Sequence, residues 1–399
     1  MNRKTIQETL DKRLCCSCGI CAGICSKGCI RMSVDNNGRL LPTLDSSLCV
    51  ECGICYNVCP GKDAIKERPT SKAELIGELK GQWTAHVKDD KHLLQTASGG
   101  ICTWLIKQLL DTNLYDAAFV VDTFNYSTYV KTEHLSDLEN IDKVGRSRYI
   151  PVSQENAARV MIKNKAKRVI LVGTSCAVRG FRNVIEHYHL DSSNYLLIGL
   201  FCDKMMNYHV WDYFANKQNS ASGKLNSLFF RSKEKNGWPG DMKLAFEHDN
   251  LFLEKRERIA VKDFFCNERC LYCMDKLNIY SDIALGDNYT GKYGFRMGSS
   301  NVLIRTSHGE KAIKSVDLSQ LKQYELNIEE VWRSQEVGKK RENGYFLSVL
   351  LHENRTIPIK IRLKYHYKRL KICCGDNYHR FPLLMNVWKA LESSIKKYE

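Results

Sequence analysis

Short apolar runs rich in branched residues punctuate the middle of the chain. They are "AAFVV" at 117–121, "RVILVG" at 168–173, "YLLIGLF" at 195–201 and "DIALG" at 282–286. Runs of this length and composition suit strands covered on both faces. Between them, residues 100–110 and 178–188 read as helices. The alternation predicts an α/β unit built on a mixed, largely parallel sheet. Ahead of it, "KERPTSKAELIGELK" at 66–80 reads as a charged linker. Beyond residue 305 the pattern turns helical and basic, and "FPLLMNVWKALESSIKKYE" at 381–399 carries apolar residues at helical spacing. No apolar run approaches the ~20 residues needed to span a bilayer. The expected organisation is an N-terminal α+β segment over 1–65, a linker over 66–80, the main α/β domain over 81–305, and a helical basic C-terminal region over 306–399.

Composition refines this picture. A chain of 399 residues with 43% apolar content suits two or three domains with a sizeable core. A net charge of +15 favours anionic partners. No nucleic-acid module is recognisable, so no nucleic-acid partner is expected. The start, "MNRKTIQETLDKRLCC", has no apolar signal region. A cytoplasmic protein is therefore expected, in which 18 reduced cysteines serve metal binding rather than disulfides.

The cysteines are patterned. "CCSCGICAGIC" at 15–25 and "CVECGICYNVC" at 49–59 both fit C-x₂-C-x₂-C-x₃-C, and Pro60 follows the second. This is the two-cluster bacterial ferredoxin pattern, in which the fourth cysteine of each run serves the other cluster. Cys15, Cys18, Cys21 and Cys59 are the expected ligands of one 4Fe-4S cluster, and Cys49, Cys52, Cys55 and Cys25 those of a second. Gly19 and Gly53 allow the tight curvature between ligands. A zinc ribbon would need only two CxxC pairs and leave the remaining cysteines idle. Cys16 and Cys29 are surplus and are read as packing residues.

A second set is less obvious. "RVILVGTSC" ends at Cys176 and "YLLIGLFC" at Cys202, so two strands each deliver a cysteine to the same sheet edge. "FFCNERCLYC" at 264–273 adds Cys266, Cys270 and Cys273. Two single cysteines and a CxxC pair make a four-thiolate site from Cys176, Cys202, Cys270 and Cys273, which predicts a third 4Fe-4S cluster. Two readings compete with it. Cys176 and Cys202 can be ordinary buried cysteines. Alternatively, Cys266, Cys270 and Cys273 can form the three-cysteine motif of a radical S-adenosylmethionine enzyme, but that motif normally opens a long β/α barrel and only 126 residues follow Cys273.

Three stretches suit phosphate. "TASGG" at 96–100 leads into an apolar helix, with Ser98 placed to cap it and Gly99 and Gly100 admitting close approach. "GTS" at 173–175 follows a strand, and "GRSRY" at 145–149 offers two arginines. Singly each is a cap, a turn or a solvated loop; together they point to a dinucleotide. No GxGxxG fingerprint is present.

With these motifs in hand, residues 81–300 resemble the beta subunit of coenzyme F420 hydrogenase and F420-linked formate dehydrogenase. The resemblance rests on "ASGG" (97–100), "GRSRYIPVS" (145–153), "GTSCAVRGFR" (173–182), "IGLFCD" (198–203) and "CLYCMDKLNIYSDIALGDNYTG" (270–291), in that order. The ferredoxin-like front end is similar to a bacterial group associated with polysaccharide synthesis. What the resemblance implies is an iron–sulfur flavoprotein oxidoreductase holding FAD. Cys176, Cys202, Cys270 and Cys273 correspond to its cluster ligands, and Ser98, Gly99, Gly100, Gly145, Ser147, Tyr149 and Thr174 to the flavin surroundings. Asp287 is a candidate to shape the site. Ser175 stands where the family has proline, Arg146 where it often has glycine, and "CDKMMN" (202–207) departs from its usual residues.

The expected activity is electron exchange between clusters and flavin to reduce or oxidise a small organic substrate, such as a polysaccharide precursor. An electron-transfer subunit without its own substrate is the alternative. A ferredoxin-like or reductase partner would supply or take electrons. The basic "KIRLKYHYKRLK" at 360–371 is expected on a helix packed on the body, with peripheral contact to an anionic membrane as the other reading.

Overall fold

A computed structural model describes residues 4–66, 68–69, 71–121, 130–135, 145–217 and 222–395. The front end begins with helix Ile6–Asp11, capped by Thr5, whose hydroxyl accepts from Gln7 N. Each cysteine run then wraps a short helix, Ile20–Ile24 or Ile54–Asn57, entered through a left-handed glycine, Gly19 or Gly53. Between them lies an antiparallel hairpin of β1 (Ile30–Val34) and β2 (Leu40–Leu44). Helix Pro60–Lys66 closes this part.

The expected linker contains structure. Helix Lys72–Ile76 starts with a capping box between Ser71 and Glu74, and its Leu75 is fully buried. The hydrophobic anchor overrides the charged composition around it.

Among the described residues the main sheet has nine strands. They are β3 (Gly81–Val87), β4 (Ala117–Val121), β5 (Val130–Leu135), β6 (Val152–Ser153), β7 (Val169–Thr174), β8 (Tyr195–Leu200), β12 (Ile283–Asp287), β13 (Ser300–Ile304) and β14 (Leu321–Tyr324), in the order β14-β3-β13-β12-β8-β7-β4-β5-β6. The four apolar runs read from the sequence are its parallel centre, β12-β8-β7-β4. The flanks β14-β3-β13-β12 and the β4-β5 pair are antiparallel, so the sheet is more mixed than a largely parallel one. β14 pairs with β3, which carries the sheet past residue 305. A separate antiparallel sheet of β9 (Leu225–Ser232), β10 (Asp241–Phe246) and β11 (Asn250–Leu253) stands beside it. The C-terminal helices Ile359–Asp376 and Pro382–Ile395 pack on the outside.

The front end is seated on the body by close backbone approach. A Cβ on Gly23 would lie 2.3 Å from Glu155 O, at the start of helix Glu155–Lys163. Gln154 N donates to Cys18 O at 2.8 Å, and Asn267 Nδ2 donates to Ser17 Oγ at 2.9 Å. Arg179 and Asn183, on helix Ser175–His187, both donate to Asp63 Oδ2, at 2.9 and 2.7 Å.

Candidate redox site

The parallel centre of the sheet ends in a cavity of about 450 Å³, within the usual range for cofactor sites. Val121, Thr174, Leu200 and Asp287, the last residues of β4, β7, β8 and β12, all line it. Ligands bind at this edge because loops and helix starts converge there. The antiparallel register of β13 brings Ser300 opposite Asp287, so the outer strands add their own wall.

Most of the predicted cofactor residues meet in this one cavity. Ser98, Gly100, Gly145, Ser147, Tyr149, Thr174 and Asp287 line it. Their local roles differ from expectation. Ser98 does not cap the following helix; its Oγ donates to Ser299 O at 2.8 Å, and Gly100, in the left-handed region, occupies the cap of helix Ile101–Asp111. Gly99 lies beneath the wall: a Cβ there would meet Ala85 O at 2.5 Å, and its N–H donates to Ser300 Oγ at 3.1 Å. Arg146 covers the ring of Phe229 at 4.4 Å and donates to Gln95 Oε1 at 2.9 Å. Asp287 is held by a bidentate pair from Arg231 at 2.7 and 2.8 Å and by Trp238 Nε1 at 3.0 Å. Both ion-pair partners are largely withdrawn from water, and the guanidinium holds the carboxyl below its ordinary range even though burial opposes this. Asp287 is thus a fixed anion that orients the wall. Lys233, buried just past the strand that carries Arg231, donates to Ser98 O at 2.9 Å and Met297 O at 2.8 Å, tying the 96–100 loop in place. Burial and the nearby Arg231 lower its pKa to about 7.

The cysteines fall into three neighbouring groups. Cys15, Cys18, Cys21 and Cys59 lie within electrostatic reach of one another. Cys55 feels Cys52 and Cys25, and Cys25 Sγ touches Cys29 Sγ at 3.3 Å beside Cys49. Cys202 feels Cys270, Cys176 and Cys273. The groups also neighbour each other: Cys21 feels Cys55, and Cys15 and Cys18 feel Cys176. Cys176 and Cys202 line the cavity. Among the described residues no three His, Cys, Asp or Glu side chains converge on a single ion. An iron–sulfur cube holds its thiolates farther apart than a single ion does.

The sulfurs sit in surroundings suited to an anionic inorganic group. Ser17 N and Glu51 N donate to Cys15 Sγ and Cys49 Sγ at 3.4 Å each, and Met205 N donates to Cys270 Sγ at 3.5 Å. Thr174 Oγ1 lies 3.3 Å from Cys176 Sγ. Burial pushes the Cys15 thiol up to about 12 and raises Cys18, Cys21 and Cys202 as well, so ionisation there calls for metal cations. Cys16, expected as a packing residue, is buried, donates through Sγ to Leu14 O at 3.7 Å, and lies beside Cys176. Cys266 is likewise buried beside Cys270.

Two cations that sequence reading missed flank the third group. Arg269 faces Cys16, Cys273, Cys176 and Cys270, and its Nε and Nη1 are buried with no hydrogen-bond partner. Two buried guanidinium nitrogens without an acceptor are costly unless negative charge stands beside them, so this point of the fold suits an anionic group. Lys340, 6% exposed, lies beside Cys273, Cys202 and Cys270, and its Nζ bonds Asp203 O. Arg269 sits inside the cysteine motif itself, "CNERCLYC", where a charge among ligands was a legible signal. Gln154, also in the cavity wall, keeps its Oε1 buried without a partner, an acceptor suited to a ligand N–H.

The three-cysteine radical-enzyme alternative loses its scaffold here. Among the described residues the main sheet is open, ending at β14 and β6, with no closed barrel, and Cys266 Sγ donates to Asn267 O at 3.4 Å.

Comparison with known proteins agrees with this layout. The model for a coenzyme F420 hydrogenase/dehydrogenase beta subunit, C terminus, matches residues 166–329, and that for the N-terminal part matches 82–157. A 4Fe-4S binding domain matches 42–62, over the second cysteine run. A coenzyme F420-dependent sulfite reductase of Methanocaldococcus jannaschii is 23% identical over 368 residues, 86% of this chain and 53% of that protein. The chain therefore spans about half the length of this relative. An uncharacterized protein of the same organism is 23% identical over 295 residues, 70% of this chain and 74% of that protein. A chain of the F420-reducing [NiFe] hydrogenase complex from Methanosarcina barkeri shares the fold, with a TM-score of 0.53 at 18% identity over 73% of this chain and 97% of its own. With two family models in order along the parallel sheet and a 4Fe-4S domain ahead of them, the chain belongs to the coenzyme F420 hydrogenase/dehydrogenase beta-subunit family and is an iron–sulfur protein of oxidoreductase kin.

Proposed function

We propose that the chain relays electrons between its front-end clusters and a flavin in the sheet-edge cavity, through a third 4Fe-4S cluster held by Cys176, Cys202, Cys270 and Cys273. The observation that carries this reading is that those four cysteines, from three separate stretches, neighbour one another beside the cavity wall and Arg269, whose buried Nε and Nη1 have no hydrogen-bond partner. Clusters supply single-electron steps, and FAD supplies the exchange between one- and two-electron chemistry that clusters alone cannot perform.

The chain's own residues then have defined tasks. Cys15, Cys18, Cys21 and Cys59, and Cys49, Cys52, Cys55 and Cys25, hold the front-end pair. Amide donors at Ser17, Glu51 and Met205 and the cations Arg269 and Lys340 balance thiolate charge. Ser98, Gly100, Gly145, Ser147, Tyr149 and Thr174 would shape the flavin pocket, Asp287 would orient its wall, and the Gln154 amide oxygen would accept a hydrogen bond from the bound cofactor. Cys52 is exposed and Cys49 half-buried, which places the second group at the surface for a ferredoxin-like or reductase partner. The two-electron partner is a hydride carrier or small organic substrate; the relatives' names single out coenzyme F420.

The test is composition after anaerobic purification. The native protein should carry about twelve irons and one FAD per chain. Cys202→Ser should lose about four irons while the front end keeps about eight. Unchanged iron in that variant contradicts the ligand set.

A further inference from the structure

The C-terminal helices form an antiparallel hairpin whose inner side is already used. Tyr365, Ile372 and Met385 are buried against the body, and Asp376 is paired with Arg39. Lys389 Nζ reaches Tyr213 OH at 2.7 Å. Tyr367 and Trp388 touch with ring centroids 5.7 Å apart, which fixes the two helices side by side. The outer side is also apolar. Ile359, Leu363 and Leu370 recur at spacings of four and seven along the first helix, and Leu383, Val387 and Leu391 at spacings of four along the second. All six are more than half exposed, Ile359 at 72% and Leu383 at 73%. A contiguous face of this kind on an otherwise finished fold marks an interaction surface.

Charge identifies what covers it. Residues 359–395 hold eight Lys/Arg against two acidic residues, Asp376, which faces inward, and Glu392. Lys360, Arg362 and Arg380 are exposed next to the stripe. A second copy of the chain would set this positive charge against itself. Leucines flanked by Lys and Arg on a helix lying flat is the composition of an interfacial helix. We propose that the outer face of the 359–395 hairpin docks the protein on an anionic lipid surface. Among the described residues no helix is long and apolar enough to cross a membrane, so the contact is peripheral.

The test uses the full chain, purified anaerobically, and vesicle flotation. Vesicles of phosphatidylcholine with phosphatidylglycerol should carry the protein, pure phosphatidylcholine vesicles should not, and raising salt should release it. Leu363→Ser with Leu383→Ser should cut the bound fraction roughly tenfold or more. Lys360→Glu with Arg362→Glu should do the same without touching the apolar face. Iron content and the visible spectrum should be unchanged in both variants, which separates this result from failure of the redox reading. Equal binding to both vesicle types, or to neither, overturns the proposal. So does a concentration-dependent dimer that the leucine variant dissolves in the absence of lipid binding.

Discussion

Arg269 shows how much one side chain can say about chemistry the chain supports. Its buried, unpartnered nitrogens face four cysteines, an arrangement stable only beside negative charge. Removing that charge should make the reduced state of the proposed third cluster harder to reach. Arg269→Gln is expected to lower its midpoint potential by on the order of 60 mV, equivalent to about 1.4 kcal/mol for one electron. Arg269→Lys should restore most of the shift, and redox titration followed by electron paramagnetic resonance reads both. Lys233 gives a second prediction through pH. Its folded pKa is about 7 because burial disfavours the ammonium, against about 10.4 in an unfolded chain. Between those values the unfolded state binds more protons, so stability from this group rises with pH across that window. Lys233→Met should therefore flatten the rise of the thermal midpoint between about pH 7.5 and 9.5, relative to the native chain. At this scale the sequence was uneven. Ferredoxin cysteines declare themselves by spacing, whereas the neutralisation of Asp287 by Arg231 was not legible, because the partner lies 56 residues away on another sheet.

At the scale of elements, the parallel centre was legible because its strands are continuous apolar runs. The flanks were not: β14, "LKQY", buries only its leucine, and β9–β11 mix exposed and buried positions without a clean period. Helix Lys72–Ile76 hid inside charged composition, with Leu75 its one buried residue. The expected end of the domain at 305 fell before a strand that only pairing with β3 reveals. The seat of the front end depends on a glycine contact that spacing gives no reason to notice. Gly23→Ala should press a methyl into Glu155 O and cost about 1–3 kcal/mol. A lower thermal midpoint with the iron content unchanged would show that seating, not cluster binding, has been weakened.

For the molecule as a whole, the three cysteine groups are successive neighbours. The group at Cys25, Cys49, Cys52 and Cys55 reaches the surface, the group at Cys15, Cys18, Cys21 and Cys59 lies between, and the group at Cys176, Cys202, Cys270 and Cys273 borders the cavity. Contacts of the front end with helices Glu155–Lys163 and Ser175–His187 hold the groups next to one another. Anomalous diffraction at the iron edge, from anaerobically grown crystals, tests the arrangement most directly. Three iron peaks in a row are predicted, the last enclosed by Cys176, Cys202, Cys270 and Cys273. Two peaks confined to the front end, with those four sulfurs bare of iron, would contradict it.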